Sequence, residues 1–108
     1  MKLNAIVDLL LNFEKMTDAK KLQRSQDVEN MVASFQGRQP RIITNKLNQE
    51  TLKTIKDAGR TPDAFYDRGY NRKIYIVDLT SKVDLVKSII HEGWDAYIDD
   101  FLKGKVTL

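Results

Sequence analysis

Residues 88–100 read SIIHEGWDAYIDD and lie within a longer segment of helical spacing near the end of the sequence. The stretch contains the single histidine of the chain, His91, and its single tryptophan. Ser81 is a favourable N-cap before this segment, and Gly104 can adopt the left-handed conformation that ends a helix. The sequence therefore predicts a helix over residues 82–103, and we expect the other elements to pack against it.

At about 100° per residue, the apolar side chains of this helix fall on one broad arc, which we predict to be its core face. The arc comprises Val83, Leu85, Val86, Ile89, Ile90, Trp94, Ala96, Tyr97 and Phe101. On the opposite side, His91, Asp95 and Asp99 follow one another at intervals of four residues. Glu92 lies at the boundary of the two faces. This polar row is either a solvated surface or a set of metal ligands, and the spacing alone leaves both interpretations open.

The sequence upstream of this helix predicts three further helices and three short extended segments. The first helix covers 2–15, the second follows a possible N-cap and break at 16–18 and continues to Gly37, and the third covers 49–58. The extended segments cover 41–44, 64–67 and 72–78. The first two helices are expected to pair as a hairpin or to continue through a kink. The last two extended segments flank a loop that contains glycine and asparagine, so they are predicted to form a β-hairpin.

These elements define an α+β fold class with two N-terminal helices, a small sheet containing a β-hairpin, and a long C-terminal helix packed on the sheet. The 108 residues have the length and the 42% apolar content of one ordinary domain. We expect a single domain over 1–108, in which 1–36 form a helical hairpin or kinked helix, 41–78 a small sheet with an intervening helix, and 82–103 the C-terminal helix. No cysteine is present, which excludes disulfides, thiolate zinc sites and cysteine nucleophiles.

The net charge of +3 is unevenly distributed along the chain. Residues 37–73 carry nine basic and four acidic side chains, whereas residues 74–108 carry four basic and six acidic ones. The candidate binding residues in and beside this basic segment are Arg38, Arg41, Arg68, Arg72, Lys73, Tyr70 and Tyr75. Their charges and rings can bind nucleic acid or an acidic protein, or they can serve only as cross-strand packing and solvent cover.

Residues 91–95 read His-Glu-Gly-Trp-Asp, which follows the His-Glu-x-x-His motif of zinc metallopeptidase helices except that Asp95 stands at the second ligand position. Upstream lie Phe-Tyr-Asp at 65–67, Asn71, and Ile-Tyr-Ile at 74–76. Over residues 62–100 this arrangement resembles the zincin-type metallopeptidase domains of bacterial polymorphic toxins and phage-related regulators. In those domains a hairpin beside the metal-binding helix holds substrate as an added strand.

The resemblance implies zinc as the cofactor, with His91 and Asp95 as ligands, Asp99 as a further candidate ligand, and Glu92 as the general base. It also implies that residues 74–76 form a strand that can pair with an extended peptide. The implied function is that of a toxin or phage effector acting as a metal-dependent hydrolase.

The alternative is a non-catalytic pseudo-enzyme or a small binding module, such as a phage-encoded inhibitor. Such a module would contact an acidic protein or nucleic acid through residues 37–73. In either case we expect a protein partner, with nucleic acid as a second possibility. We expect no membrane span, and a location in the cytoplasm or delivery to a target cytoplasm as part of a larger secreted protein.

Overall fold

The structure, a computed structural model, describes residues 4–47, 49–57, 59, 63–67 and 71–106. It contains four α-helices, a 3-10 turn and three short strands among these residues. In chain order they are α1 (Ala5–Asn12), the 3-10 turn (Phe13–Lys15), α2 (Asp18–Gln36), β1 (Ile43–Thr44), α3 (Gln49–Asp57), β2 (Ala64–Tyr66), β3 (Ile74–Ile76) and α4 (Lys82–Leu102). The predicted α+β fold class is confirmed, with α4 packed on the sheet.

The first two helices form an antiparallel hairpin, the first of the two arrangements expected from the sequence. Asn4 caps α1 by accepting a hydrogen bond from the backbone N–H of Ile6 at 2.8 Å. The Asn4 amide also lies 3.5 Å from Met31 Sδ near the far end of α2. Later in α1, Asp8 forms an ion pair with Arg24, which lies earlier in α2. A later position in α1 thus contacts an earlier position in α2, as expected for antiparallel helices.

The three strands form one mixed sheet in the order β1-β3-β2. Strand β3 pairs in parallel with β1, with Ile43 opposite Ile74, and antiparallel with β2, with Ala64 opposite Ile76. The predicted β-hairpin is confirmed. The expectation that residues 74–76 pair with an incoming peptide requires a correction, because both sides of β3 already carry a strand. Among the described strands, β2 and β1 provide the edges of the sheet.

The hydrophobic core lies between the sheet, the helical hairpin and α4. Its buried members are Leu9, Phe13, Val28, Ile43, Ile74, Ile76, Leu85, Val86 and Ile89. Side chains from both N-terminal helices, two strands and α4 thus meet in one cluster. Among the described residues, no helix combines the length and the apolar character needed to cross a membrane.

Only part of the apolar arc predicted for α4 faces the core. Leu85, Val86, Ile89 and Ala96 are buried, as predicted. Ile90, Trp94 and Phe101 remain 45%, 53% and 42% exposed, whereas Asp99 and Asp100 are buried. The buried acids form ion pairs with arginines from other elements, which are described below. On the same inward face, a Cβ added to Gly93 would lie only 3.0 Å from Arg38 Nη2. The orientation of α4 is therefore set by charge pairing and close packing as well as by apolar burial.

Candidate functional site

His91, Glu92 and Asp95 come together on α4. One ligand atom from each can be chosen so that all three atoms lie within 4.8 Å of one another. His91 and Asp95 are one helical turn apart, so their side chains project side by side, with 3.8 Å between His91 Nε2 and Asp95 Oδ2. Both are accessible to solvent, whereas Glu92 follows His91 around the helix towards the sheet and is only 6% exposed. The group thus combines two open ligands with one buried carboxyl.

The buried carboxyl of Glu92 is electrostatically unusual. Its Oε2 atom has no hydrogen-bond partner among the described residues. Burial raises the pKa of Glu92 to about 7, and the neighbouring Asp95 charge contributes to the same rise. A carboxyl with this pKa can both take up and release a proton near neutral pH, which is the property required of a general base and acid.

An open pocket of about 330 Å³ lies over the buried side of this group. It is lined by His91 and Glu92, by three further residues of α4, and by the start of β2. The other lining residues are Asp63, Ala64, Asp84, Lys87 and Ser88. Because β2 is an edge strand among those described, the pocket lies between a sheet edge and the His91 group.

Asp99 is directed away from this group. It is 3% exposed and accepts a hydrogen bond from the Tyr66 hydroxyl at 2.7 Å. It also pairs with Lys103 Nζ at 2.9 Å. Burial alone would raise the pKa of Asp99, but the bonds from Tyr66 and Lys103 outweigh it and hold that pKa below its ordinary value. Eight residues correspond to more than two full turns, so Asp99 lies about 80° around the helix from His91.

Two of the predicted binding cations, Arg38 and Arg41, are buried. The Arg38 guanidinium forms a bidentate pair with Glu29 of α2, at 2.7 and 2.8 Å, and neither side chain is exposed. The Arg41 guanidinium donates to Asp100 at 2.5 Å and to the Tyr66 hydroxyl at 3.2 Å. Both cations are neutralised within the fold, so they do not form part of an exposed basic surface.

The remaining predicted binding residues are also paired or partly buried within the fold, or they lie outside the described part of the chain. Arg72 forms an ion pair with Asp100 and lies 3.4 Å from Asp99. Tyr75 is buried in β3 and stacks on Phe65 with 4.9 Å between the ring centroids. Lys73 is half-buried. The predictions for Arg68 and Tyr70 fall outside the described residues.

Sequence reasoning missed Glu29, which is fully buried on α2. The available signal was its position: Glu29 directly follows Val28 and lies three residues before Val32, so it belongs to the apolar side of its helix. A carboxylate at such a position requires a buried cation. Arg38, nine residues further on, provides it.

The chain was compared with protein-family models, curated proteins and solved structures, and none of these comparisons gave a match. The functional assignment therefore depends on the site itself.

The raised pKa of Glu92 gives a prediction for stability. The folded pKa of about 7 lies above the ordinary value of 4.5, so folding favours the protonated carboxyl. The stability that this group contributes is present below pH 4.5 and is lost as the pH rises towards 7. We expect Glu92→Gln to raise the thermal unfolding midpoint of the metal-free protein above neutral pH and to change it little in acid. Thermal melts with chelator at about pH 4 and pH 8 measure this difference.

Asp84→Asn is the matched control, because Asp84 is an exposed carboxylate on the same helix and in the same pocket. Its effect should be small at both pH values. If Glu92→Gln destabilised the protein at high pH, the buried carboxyl would have an ionic partner that the structure does not show.

Proposed function

We propose that the His91 group binds one divalent cation, zinc in preference, and that the chain is a zincin-like, metal-dependent hydrolase. The observation that carries this proposal is the convergence of three side chains: His91 and Asp95 are accessible candidate ligands, and Glu92 is a carboxyl whose buried Oε2 atom has no hydrogen-bond partner among the described residues. Acidic clusters on helices are common, but a buried carboxyl oxygen without a hydrogen bond is costly, and a role in proton transfer is one explanation for it.

The donor set fits zinc. An imidazole nitrogen and carboxylate oxygens are ordinary zinc ligands, and His91 offers the single imidazole of a chain without cysteine. His91 and Asp95 are accessible and adjacent, so they are the residues that would hold the ion. A site with few protein ligands leaves positions for water and substrate, as catalytic zinc sites require.

Glu92 has the properties of the proton-transfer residue. The chemistry that zinc supplies in such enzymes is polarisation of a carbonyl and a lowered pKa for water. Glu92 lies beside the two open candidate ligands. From that position its carboxylate could accept a proton from the attacking water and pass it to the leaving group.

The proposed substrate is a peptide in extended conformation. The pocket beside His91 is bordered by Ala64, the first residue of the edge strand β2. An extended peptide can add to such an edge through main-chain hydrogen bonds, which brings its carbonyl groups towards α4. The role that the resemblance assigned to residues 74–76 is thus proposed for β2. The biological setting that the resemblance suggests is a bacterial toxin or a phage effector.

A peptide-cleavage assay tests the proposal. Zinc-loaded protein is incubated with a mixed peptide library, and new termini are read by mass spectrometry. We expect cleavage by the zinc-loaded protein, none with excess chelator, and none with Glu92→Gln, because an amide cannot accept a proton from water. Glu92→Gln should still bind zinc, since His91 and Asp95 are unchanged.

Lys82→Ala serves as the control, because Lys82 lies on α4 outside both the pocket and the His91 group. Stoichiometric zinc without any peptide cleavage would refute the hydrolase and favour the alternative, a pseudo-enzyme whose metal site is structural. Cleavage by Glu92→Gln at the unaltered rate would remove Glu92 as the base.

A further inference from the structure

An exposed seam runs along α4 on the side away from the core. Its members follow one another at spacings of four, three, four, three and four residues. They are Val83, Lys87, Ile90, Trp94, Tyr97 and Phe101. Val83 is 53% exposed, Lys87 is exposed, and the Trp94 ring stacks on Tyr97 with 5.5 Å between their centroids. The stacked aromatic pair thus stands at the middle of an open, mostly apolar face.

The alternating spacing of three and four residues is the a/d pattern of a helix that packs against another helix. Helices that are only covered by solvent on one side do not require this pattern on that side. The seam extends over 18 intervals, or about 27 Å at 1.5 Å per residue. Within the seam, Tyr97 is half-buried and Val83, Ile90, Trp94 and Phe101 are 42–53% exposed. Exposed apolar side chains grouped on one face often mark an interaction site. The seam therefore has the features of a helix-docking surface.

We propose that this seam binds the same seam of a second copy of the chain, with the two α4 helices antiparallel. In that arrangement the six positions pair about a two-fold axis near position 92. Ile90 lies opposite Trp94 of the partner subunit, Val83 opposite Phe101 of the partner subunit, and Lys87 opposite Tyr97 of the partner subunit. Each of these three facing pairs forms one layer of the interface, and each layer combines an aliphatic stem with an aromatic ring.

The single charge in the seam, Lys87, favours the antiparallel orientation of the two helices and a second copy of the chain as the partner. A parallel pair would place Lys87 against its own copy, and like charges in one layer are unfavourable. The antiparallel pair places the Lys87 ammonium against an aromatic ring, where it gains a cation–π contact and its stem covers apolar surface. Because every layer is satisfied by residues of the same seam, the surface is self-complementary, as a two-fold interface requires.

Sedimentation velocity over a range of protein concentrations tests the dimer. The experiment contains chelator, so that association through a metal at His91 does not contribute and the result is independent of the proposed function. We expect a reversible monomer–dimer equilibrium, weakened by about thirtyfold or more in Trp94→Glu, because a charge replaces a central aromatic of the interface. Phe35→Glu is the control, since Phe35 is an 86% exposed aromatic on α2 outside the seam. It should leave the dissociation constant unchanged.

Disulfide cross-linking tests the orientation, and the absence of native cysteine makes single substitutions specific. In the antiparallel dimer, Val83→Cys alone should not cross-link under oxidation. A mixture of Val83→Cys and Phe101→Cys chains should give the mixed disulfide. A monomer at all concentrations would overturn the proposal, and so would equal weakening by Phe35→Glu. Efficient cross-linking of Val83→Cys with itself would overturn the antiparallel arrangement.

Discussion

Replacing Arg38 with alanine is expected to lower the free energy of unfolding by about 3–5 kcal/mol, because the substitution leaves the buried carboxylate of Glu29 without its cation. Neither side chain of this pair is exposed, and the contact is bidentate at 2.7 and 2.8 Å. The same carboxylate accepts a hydrogen bond from the backbone N–H of Arg41 at 2.6 Å. Glu29 therefore holds together α2 and the segment that leads into β1. Urea denaturation followed by circular dichroism measures the loss.

A double variant distinguishes a buried pair from a general loss of packing. Arg38→Met combined with Glu29→Leu replaces both charges by apolar groups of similar length, so it should recover part of the stability lost in Arg38→Ala. The recovery is incomplete because the backbone N–H of Arg41 loses its acceptor. Lys82→Ala is the surface comparison, since the pair between Lys82 and Glu14 is solvent-exposed and its loss should change the free energy of unfolding little. An effect of Arg38→Ala as small as that of Lys82→Ala would contradict the buried arrangement.

Replacing His91 with alanine is expected to reduce zinc affinity by more than about a hundredfold, because the proposed site makes His91 a direct ligand. Loss of a direct ligand exceeds the 10–100-fold effects of residues that only support ligands. His91 is the single histidine, and cysteine is absent, so no other side chain offers the nitrogen or thiolate donor that zinc prefers. Competition with a chromophoric zinc chelator measures the change. His91 is highly exposed, so the variant should fold normally.

The controls for this prediction lie on the same helix. Asp84→Ala removes an exposed carboxylate of the pocket that lies outside the three-residue group and should keep zinc affinity within about twofold. Asp95→Ala should weaken binding, because Asp95 supplies the neighbouring accessible ligand. Equal effects of Asp84→Ala and Asp95→Ala would indicate non-specific attraction of cations to an acidic helix.

Local signals in the sequence were sufficient for most elements of the fold. Ser81 caps α4 by accepting from the backbone N–H of Asp84. Thr17 caps α2 in the same way, and Gly37 ends that helix with a φ of 64°. Caps and stops involve neighbours within a few residues, so they can be recognised without knowledge of the tertiary structure. The hairpin of β2 and β3 was predictable for the same reason.

The full core face of α4 could not be predicted from its own sequence. Its apolar arc pointed to a core face that includes Ile90 and Trp94, but the buried face includes Asp99 and Asp100. Asp100 pairs with Arg41 and Arg72, and Asp99 accepts a hydrogen bond from Tyr66; all three partners are distant in the chain. A helical projection treats every carboxylate as a group that prefers water, and it contains no information about a cation brought in by another element.

The same distinction between local and long-range features applies to the candidate site. The closeness of His91 and Asp95 follows from helical spacing and was predictable. The burial of Glu92 depends on the direction in which α4 faces the sheet, and its raised pKa follows from that burial. The direction of Asp99 depends on Tyr66 and Lys103. Helical spacing thus predicted that His91 and Asp95 are neighbours, but it did not predict the environment of Glu92 or Asp99.

Calorimetric titration of zinc into the metal-free protein tests the central claim most directly. We expect one zinc ion per chain for the unaltered protein and for Glu92→Gln, and loss of that binding in His91→Ala. The absence of saturable zinc binding by the unaltered protein, or binding of the same stoichiometry and affinity by His91→Ala, would contradict it.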